Sequence, residues 1–325
     1  MKLPRRNFLH LAAGAAALPA VSRIASAQAY PTRPVRIIVG FAPSGATDIM
    51  ARLIGQWLSE RLGQQFIVEN RPGAASNIAT EAVVNAPPDG YTLLVATSVN
   101  AINATLYDKL NFNLIRDIAP VASIHREPLL VEVNPSVPVK TVPELIAYAK
   151  ANPANINMSS AGIGSGNHIA GELFKMMTGV NLVHVPYRGA GPALVDLLAG
   201  VAQVYFSPTP PAIEYIKARK LRTLAVTTAL RSEALPDIPT VGEFVPGYEA
   251  SGWSGIGSPK NTPTEVIDKL NREINTALAD LKIKAQLADL GSLVLASSPA
   301  DFGRLIADET EKWGKVVRAA NIKPE

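Results

Sequence analysis

The chain has 325 residues, 47% hydrophobic and 18% charged, with no cysteine; this is the composition of a folded globular protein and excludes disulfides and cysteine-ligated metals. Its formal charge of +4 resides in the first 27 residues, which hold Lys2, Arg5, Arg6 and Arg23 and no acid, so the remainder balances at 27 basic and 27 acidic side chains. A neutral chain with scattered charges offers no basic face to phosphates, and nucleic acid is not an expected partner.

Residues 1–27 read as an export signal. A basic start precedes an apolar run from Phe8 to Ala20, and Ala25-Ser26-Ala27 supplies the small side chains that a signal peptidase accepts. Pro4-Arg5-Arg6-Asn7-Phe8-Leu9 resembles a twin-arginine signal; adjacent arginines also occur in Sec signals, so both routes stay open. The run is too short to span a bilayer, and no later stretch is longer. The expectation is a periplasmic protein.

From residue 28 onward, β-branched runs ending in Gly, Pro or Ser alternate with stretches of helical period. Strands are predicted at Val35–Val39, Phe66–Val68, Thr92–Ala96, Leu129–Val133, Asn155–Ser159, Leu182–Val185, Gln203–Phe206 and Leu221–Thr227. The alternation predicts an α/β class with parallel sheets, and the length predicts two domains. Ile49, Leu53, Trp57, Leu58 and Leu62 form a helical stripe that Gly63 stops. Thr141 with Glu144 and Thr262 with Glu265 read as capping boxes, and Ser298-Pro299 as the cap of a last helix that packs on a sheet.

Catalytic signals are sparse. His125, His168 and His184 stand at no metal-clamping spacing, and no nucleophile elbow, phosphate loop or dinucleotide turn follows any predicted strand. Neither a metal nor a cofactor is expected, and a binding protein is favoured over an enzyme. What recurs is a strand-to-helix turn rich in Gly, Ser and Thr. Five are found: Phe41 to Asp48, Arg71 to Asn77, Thr97-Ser98, Ser159 to His168, and Pro186 to Pro192. Small residues let backbone amides approach a ligand, and helix starts attract anions without a basic side chain. Each residue also has a structural reading: Ser44 and Thr47 as caps, Asp48 as a first-turn acid, His168 as scaffold, Tyr187 and Arg188 as an inter-domain strut.

Phe41-Ala-Pro-Ser-Gly-Ala-Thr-Asp48, Glu69-Asn-Arg-Pro-Gly73, Pro88-Asp-Gly-Tyr-Thr-Leu93, Val185-Pro-Tyr-Arg-Gly-Ala-Gly-Pro192, Leu221-Arg-Thr-Leu-Ala-Val226 and Leu235-Pro-Asp-Ile-Pro-Thr240 resemble the Bug family, the extracytoplasmic binding proteins of tripartite tricarboxylate transporters. The resemblance covers essentially the whole mature chain. It implies a two-domain, type II periplasmic-binding-protein fold with a ligand cleft between domains, residues 28–126 plus 249–325 forming one domain and 127–248 the other. It further implies capture of a small carboxylate by a monomer and its delivery to membrane permease subunits. Carried over by likeness, the ligand contacts are Ala42, Pro43, Ser44, Gly45, Asp48, Ser76, Thr97, Ser98, Gly164, Ser165, His168, Tyr187 and Gly189. Two positions depart from the family. Ser44-Gly45 stands where Gly-Gly is common, and Ser207-Pro208 where an aspartate often begins the stretch. A periplasmic sensor for a membrane kinase and a cleft enzyme of the same fold are the competing readings; the missing cysteine removes an enzyme of the porphobilinogen-deaminase type.

Overall fold

The computed structural model describes residues 30–43, 45–209, 215–216, 218–232, 235–289 and 291–324; the expected export signal lies outside them. Strand β1 (Val35–Val39) pairs in parallel with β2 (Phe66–Asn70) and β3 (Thr92–Thr97). Val35, Ile37, Ile38 and Val39 are completely buried, as a near-continuous apolar run must be when helices cover both sheet faces. Each strand delivers its carboxyl end into a helix: α1 (Ala46–Leu62), α2 (Asn77–Val84) and α3 (Ser98–Leu106). A short helix, α4 (Leu114–Asp117), then leads into the 16-residue strand β4 (Ile118–Val133).

A second set follows the same pattern. Helix α5 (Val142–Ala151) precedes β5 (Asn157–Ser160), α6 (Gly166–Thr178), β6 (Val183–Pro186), α7 (Ala190–Ala199), β7 (Val204–Pro208) and β8 (Arg222–Val226). Strand β5 lies parallel to both β6 and β7. The chain returns through β9 (Ser251–Pro259), α8 (Thr264–Ala279), α9 (Leu281–Asp289), β10 (Leu293–Val294) and α10 (Pro299–Ala319). The strand order is β2-β1-β3-β9-β4-β7-β5-β6, with β8 and β10 also paired to β4. Residues Ile118 to Pro128 of β4 pair with β9, whereas Leu129 to Val133 pair with β7 and β8. One strand thus belongs to both sets.

Several expectations need correction. The sheets are mixed, not parallel, because every pairing of β4 and β9 with its neighbours is antiparallel; these strands carry the chain between the two sets without a helical crossover. Strand β9 was absent from the sequence reading because Ser-Gly-Trp-Ser-Gly-Ile-Gly-Ser-Pro has few β-branched residues. Its glycines answer a packing demand: a Cβ on Gly255 would lie 2.4 Å from the Phe302 ring and 2.5 Å from the Ala122 carbonyl oxygen. In α1 the core stripe is Met50, Ile54 and Leu58, while Ile49 is exposed and Leu53, Trp57 and Leu62 are partly buried. Thr141 and Ser298 cap α5 and α10 as expected, accepting from the amides of Glu144 and Asp301. Thr262 does not cap α8, since its hydroxyl donates to the Pro259 carbonyl and Pro263 takes the cap position. Helix α10 rests mainly on α3, then on β4 and α6, and so touches both sets instead of covering a sheet.

Replacing Gly255 by Ala is expected to cost about 1–3 kcal/mol, the usual range for overpacking against atoms that cannot move away. Gly191→Ala, where a Cβ meets nothing within 4 Å, is expected to change stability by less than about 0.5 kcal/mol. Urea unfolding midpoints of the two variants check the contrast.

Candidate functional site

The first turn runs from Phe41 into α1. Gly45 occupies the cap position with extended dihedrals (φ −79°, ψ 166°), and among the described residues no side chain caps the helix. Ala42, Pro43 and Gly45 are exposed; Ser44 lies outside the described residues. Asp48 is buried, and its carboxylate accepts from Arg52 Nε at 3.0 Å and Asn70 Nδ2 at 2.9 Å. The same Asn70 nitrogen donates to the Phe41 carbonyl at 3.0 Å. Asp48 and Asn70 therefore brace the turn from beneath.

The second turn is conformationally unusual: Ala74, Ala75 and Ser76 all have left-handed φ values (44°, 49° and 74°). Such backbone persists only where neighbours over-determine it, and it concentrates at ligand sites. Here the neighbours are on α3. Asn103 Nδ2 donates to the Ala75 carbonyl at 2.7 Å and to Asn77 Oδ1 at 2.9 Å. Asn100 Nδ2 reaches Thr80 Oγ1 at 2.9 Å and Ser76 Oγ at 3.4 Å, while its Oδ1 accepts from Thr97 N and Thr97 Oγ1. Ser76, Thr97 and Ser98 are all buried around this network. Asn70, Asn100 and Asn103 were not selected from the sequence; the i, i+3 spacing of the two asparagines on α3 was the available signal.

The fourth turn comes from the second strand set. Ser165 caps α6, and its hydroxyl donates to the Gly162 carbonyl at 2.6 Å. Gly164 has φ +76°, and a Cβ there would lie 2.5 Å from the Leu106 side chain on α3, so only glycine lets this turn close on the first set. The Gly164 amide donates to His168 Nδ1 at 3.1 Å. The neutral ring then carries its proton on Nε2, facing Glu172 Oε1 at 3.8 Å. His168 stacks on His184 with ring centroids 3.7 Å apart, and the Ser160 hydroxyl lies 2.6 Å from His184 Nε2. In the fifth turn the Gly189 amide donates to the Ala161 carbonyl, and the Tyr187 hydroxyl donates to Asp196 Oδ2 at 2.6 Å. Burial, then the Asp196 bond, pushes the Tyr187 phenol up to about 12.

A cavity of about 310 Å³ lies where these turns meet. It is lined by Phe41 and Ala75 from the first set, Val99, Leu106 and Tyr107 at α3, and Ala161 to Gly166 from the second, with Pro324 at one side. Gly164 and Ser165 line it directly. Ser76, Ser98, His168 and Gly189 stand beside or bonded to lining residues, Thr97 reaches the site only through Asn100, and Asp48 and Tyr187 have their described bonds within their own sets. A larger, open groove of about 510 Å³ between α1 and β2 contains none of the turns and reflects the exposed sheet edge. Among the described residues no three metal-ligating side chains converge. Ser207, at the position where an aspartate was expected by family likeness, is buried and donates to Glu132 Oε2. Burial pushes Glu132 up to about 7, and an aspartate at 207 would confront that carboxyl.

Two strand sets with facing helix starts and a cavity between them define a two-lobed ligand-binding protein of the α/β class. Residues 50–322 match the profile of the tripartite tricarboxylate transporter family receptor, and the chain belongs to that family. BugT of Bordetella pertussis is 36% identical over 301 residues, covering 92% of each chain. Among solved structures, Rpa4515 of R. palustris with adipate is 38% identical, covers 91% of this chain and all of its own, and superposes with a TM-score of 0.78. MatC (Rpa3494) from Rhodopseudomonas palustris with bound malate is 31% identical, with coverage of 89% and 100% and a TM-score of 0.74. The periplasmic binding protein BugD is a further solved relative, 31% identical, with coverage of 91% and 100% and a TM-score of 0.75. No helix among the described residues is long and apolar enough to cross a membrane.

Burial, joined at His168 by the charge of His184 and Lys175, lowers His168 to about 3; burial likewise lowers His184 and His125 to about 4. Between pH 6.5 and 4 the unfolded chain binds protons that the folded one refuses, so these rings make stability fall as pH drops. Glu132 acts in the opposite sense between about pH 7 and 4.5, because there the folded state holds the extra proton. His184→Gln is expected to flatten the loss of stability across pH 6.5 to 4 and Glu132→Gln to steepen it. Urea titrations at half-unit pH steps measure both slopes.

Proposed function

We propose that the protein captures a small carboxylate between its two lobes and delivers it to the membrane subunits of a tripartite tricarboxylate-type transporter. The observation that carries this reading is the cavity between the two strand sets whose described lining residues include no charged side chain. Backbone amides hold the anion there, helped by the positive ends of the helix dipoles. Adipate and malate, present in the two solved relatives, make such carboxylates the natural candidates.

In this reading Ala42, Pro43, Ser44 and Gly45 of the first turn face the ligand, with Ser76, Thr97, Ser98, Gly164 and Ser165 completing the cradle. Asp48, Asn70 and His168 hold those turns in place, and Tyr187 and Gly189 join as the lobes close. The lobes are domains of residues 28–126 plus 249–325 and residues 127–248. The change of partners in β4 between Pro128 and Leu129 and the Arg126–Glu249 ion pair lie near these junctions and support them. Closure gains contacts only with ligand present, so the ligand shifts an open–closed equilibrium and stabilises the fold by mass action. The protein acts as a monomer in the periplasm after removal of residues 1–27.

Gly45→Pro removes one amide donor at the first turn and is expected to weaken binding of adipate or malate by about 1–3 kcal/mol, the range for a lost hydrogen bond to a charged group. Arg188→Ala removes the exposed cation nearest a conventional clamp and is expected to preserve binding. Calorimetric titration decides: loss of binding in Arg188→Ala with Gly45→Pro unaffected shifts recognition to a salt bridge. Replacing Arg5 and Arg6 by Lys is expected to stop periplasmic accumulation, read by fractionation. Unchanged accumulation assigns export to Sec.

A further inference from the structure

We infer that the ligand's body is an unsubstituted hydrocarbon, its polar groups confined to the carboxylate. This rests on the carboxylate reading above and narrows it to a substrate class. The wall of the cavity between the turn groups is built by Phe41, Val99, Leu106, Tyr107 and Ile163 together with small residues. Among the described residues, no Asp, Glu, Lys, Arg, His, Asn or Gln contributes to the lining.

Most polar side chains nearest that wall are engaged in holding the turns; Asn77 Nδ2 and Asn103 Oδ1, buried behind Ala75, have no described partner. Asn100 serves Thr97 and Thr80, Asn103 serves the Ala75 carbonyl, and Asn167 joins the Ala161 amide to the Tyr205 hydroxyl. His168 Nδ1 takes the Gly164 amide, and the Ser165 hydroxyl is given to Gly162. Among the described lining residues, Tyr107 carries the one side-chain hydroxyl besides that of Ser165, a donor suited to a carboxylate oxygen.

Amides at the helix starts serve the carboxylate equally in any ligand of this kind. The body is therefore where discrimination arises. A hydroxyl or ammonium placed against Val99, Leu106 and Ile163 loses its water and meets no partner, while a methylene gains dispersion and hydrophobic contact. An apolar pocket rejects an added hydroxyl by up to about a hundredfold. Ile163 is 36% exposed on its turn, so it can be replaced without opening the core.

Calorimetric titration of the purified mature protein with two matched pairs tests the inference: succinate against malate, and adipate against 2-hydroxyadipate. In each pair that binds, the unsubstituted member is expected to be about 10- to 100-fold tighter. Ile163→Asn, with an unchanged melting temperature as the check on folding, is expected to shrink that ratio severalfold by giving the hydroxyl a partner. A hydroxylated member that binds as tightly as its parent, or an unchanged ratio in Ile163→Asn, overturns the hydrocarbon body and leaves the carboxylate reading standing. Absence of binding by all four overturns the carboxylate reading, and this inference with it.

Discussion

The antiparallel ladder along β4 is the interaction on which the rest of the molecule depends. Its first part lies between β9 and β10 and its second between β7 and β8, so one set of backbone hydrogen bonds continues from one lobe into the other. The ladder is not straight. Its register shifts between Pro120 and Ala122, between Ser123 and His125, and between Val131 and Glu132, and such bulges bend a strand and increase its twist. Helix α10 reinforces the arrangement by packing on α3 and α6 at once. At its centre Glu309 accepts from the indoles of Trp253 and Trp313, satisfying a carboxylate that would otherwise be costly to bury.

The parts of the fold legible in the sequence are those whose cause is local. Val35–Val39 is a strand because four of its five residues are β-branched, and Ser298 caps α10 because its hydroxyl accepts from an amide three residues on. Strand β9 has the opposite character. Gly255 is dictated by Phe302 and Ala122, which are distant in sequence, so the residue that makes the strand possible reads locally as a breaker. The parallel expectation failed for a related reason: alternation of strands and helices reports on each lobe, whereas β4 passes from one set to the other and β9 pairs antiparallel with it and with β3. Thr262 shows a third cause, since the cap pattern is present but the hydroxyl has a competing carbonyl within reach.

The site divides along the same line. Its turns announce themselves through Gly, Ser and Thr, but the side chains that fix them do so over 20 residues or more, as Asn100 does to Thr80 and Ser76, and Asn70 to Asp48 and Phe41. Spacing along the chain carries no trace of such bonds. Asp48 illustrates the consequence: a first-turn acid after a glycine-rich turn reads equally as a ligand contact or as a helix-dipole partner, and only its bonds to Arg52 and Asn70 reveal a brace.

A chain with no net charge beyond its first 27 residues cannot attract an anion from a distance, and recognition has to be made at contact. Amides suit this, because they are held rigid by the secondary structure they terminate and lose little entropy when they bind. The cost falls on the turns, which must hold left-handed residues such as Ala74, Ala75 and Ser76 at about 1–3 kcal/mol each. The buried bonds of Asn100 and Asn103 offset that strain from within the same lobe. In the proposed reading the same amides serve any carboxylate, so that ligand choice falls to the apolar wall of Phe41, Val99, Leu106 and Ile163 while affinity for the anion stays with the backbone.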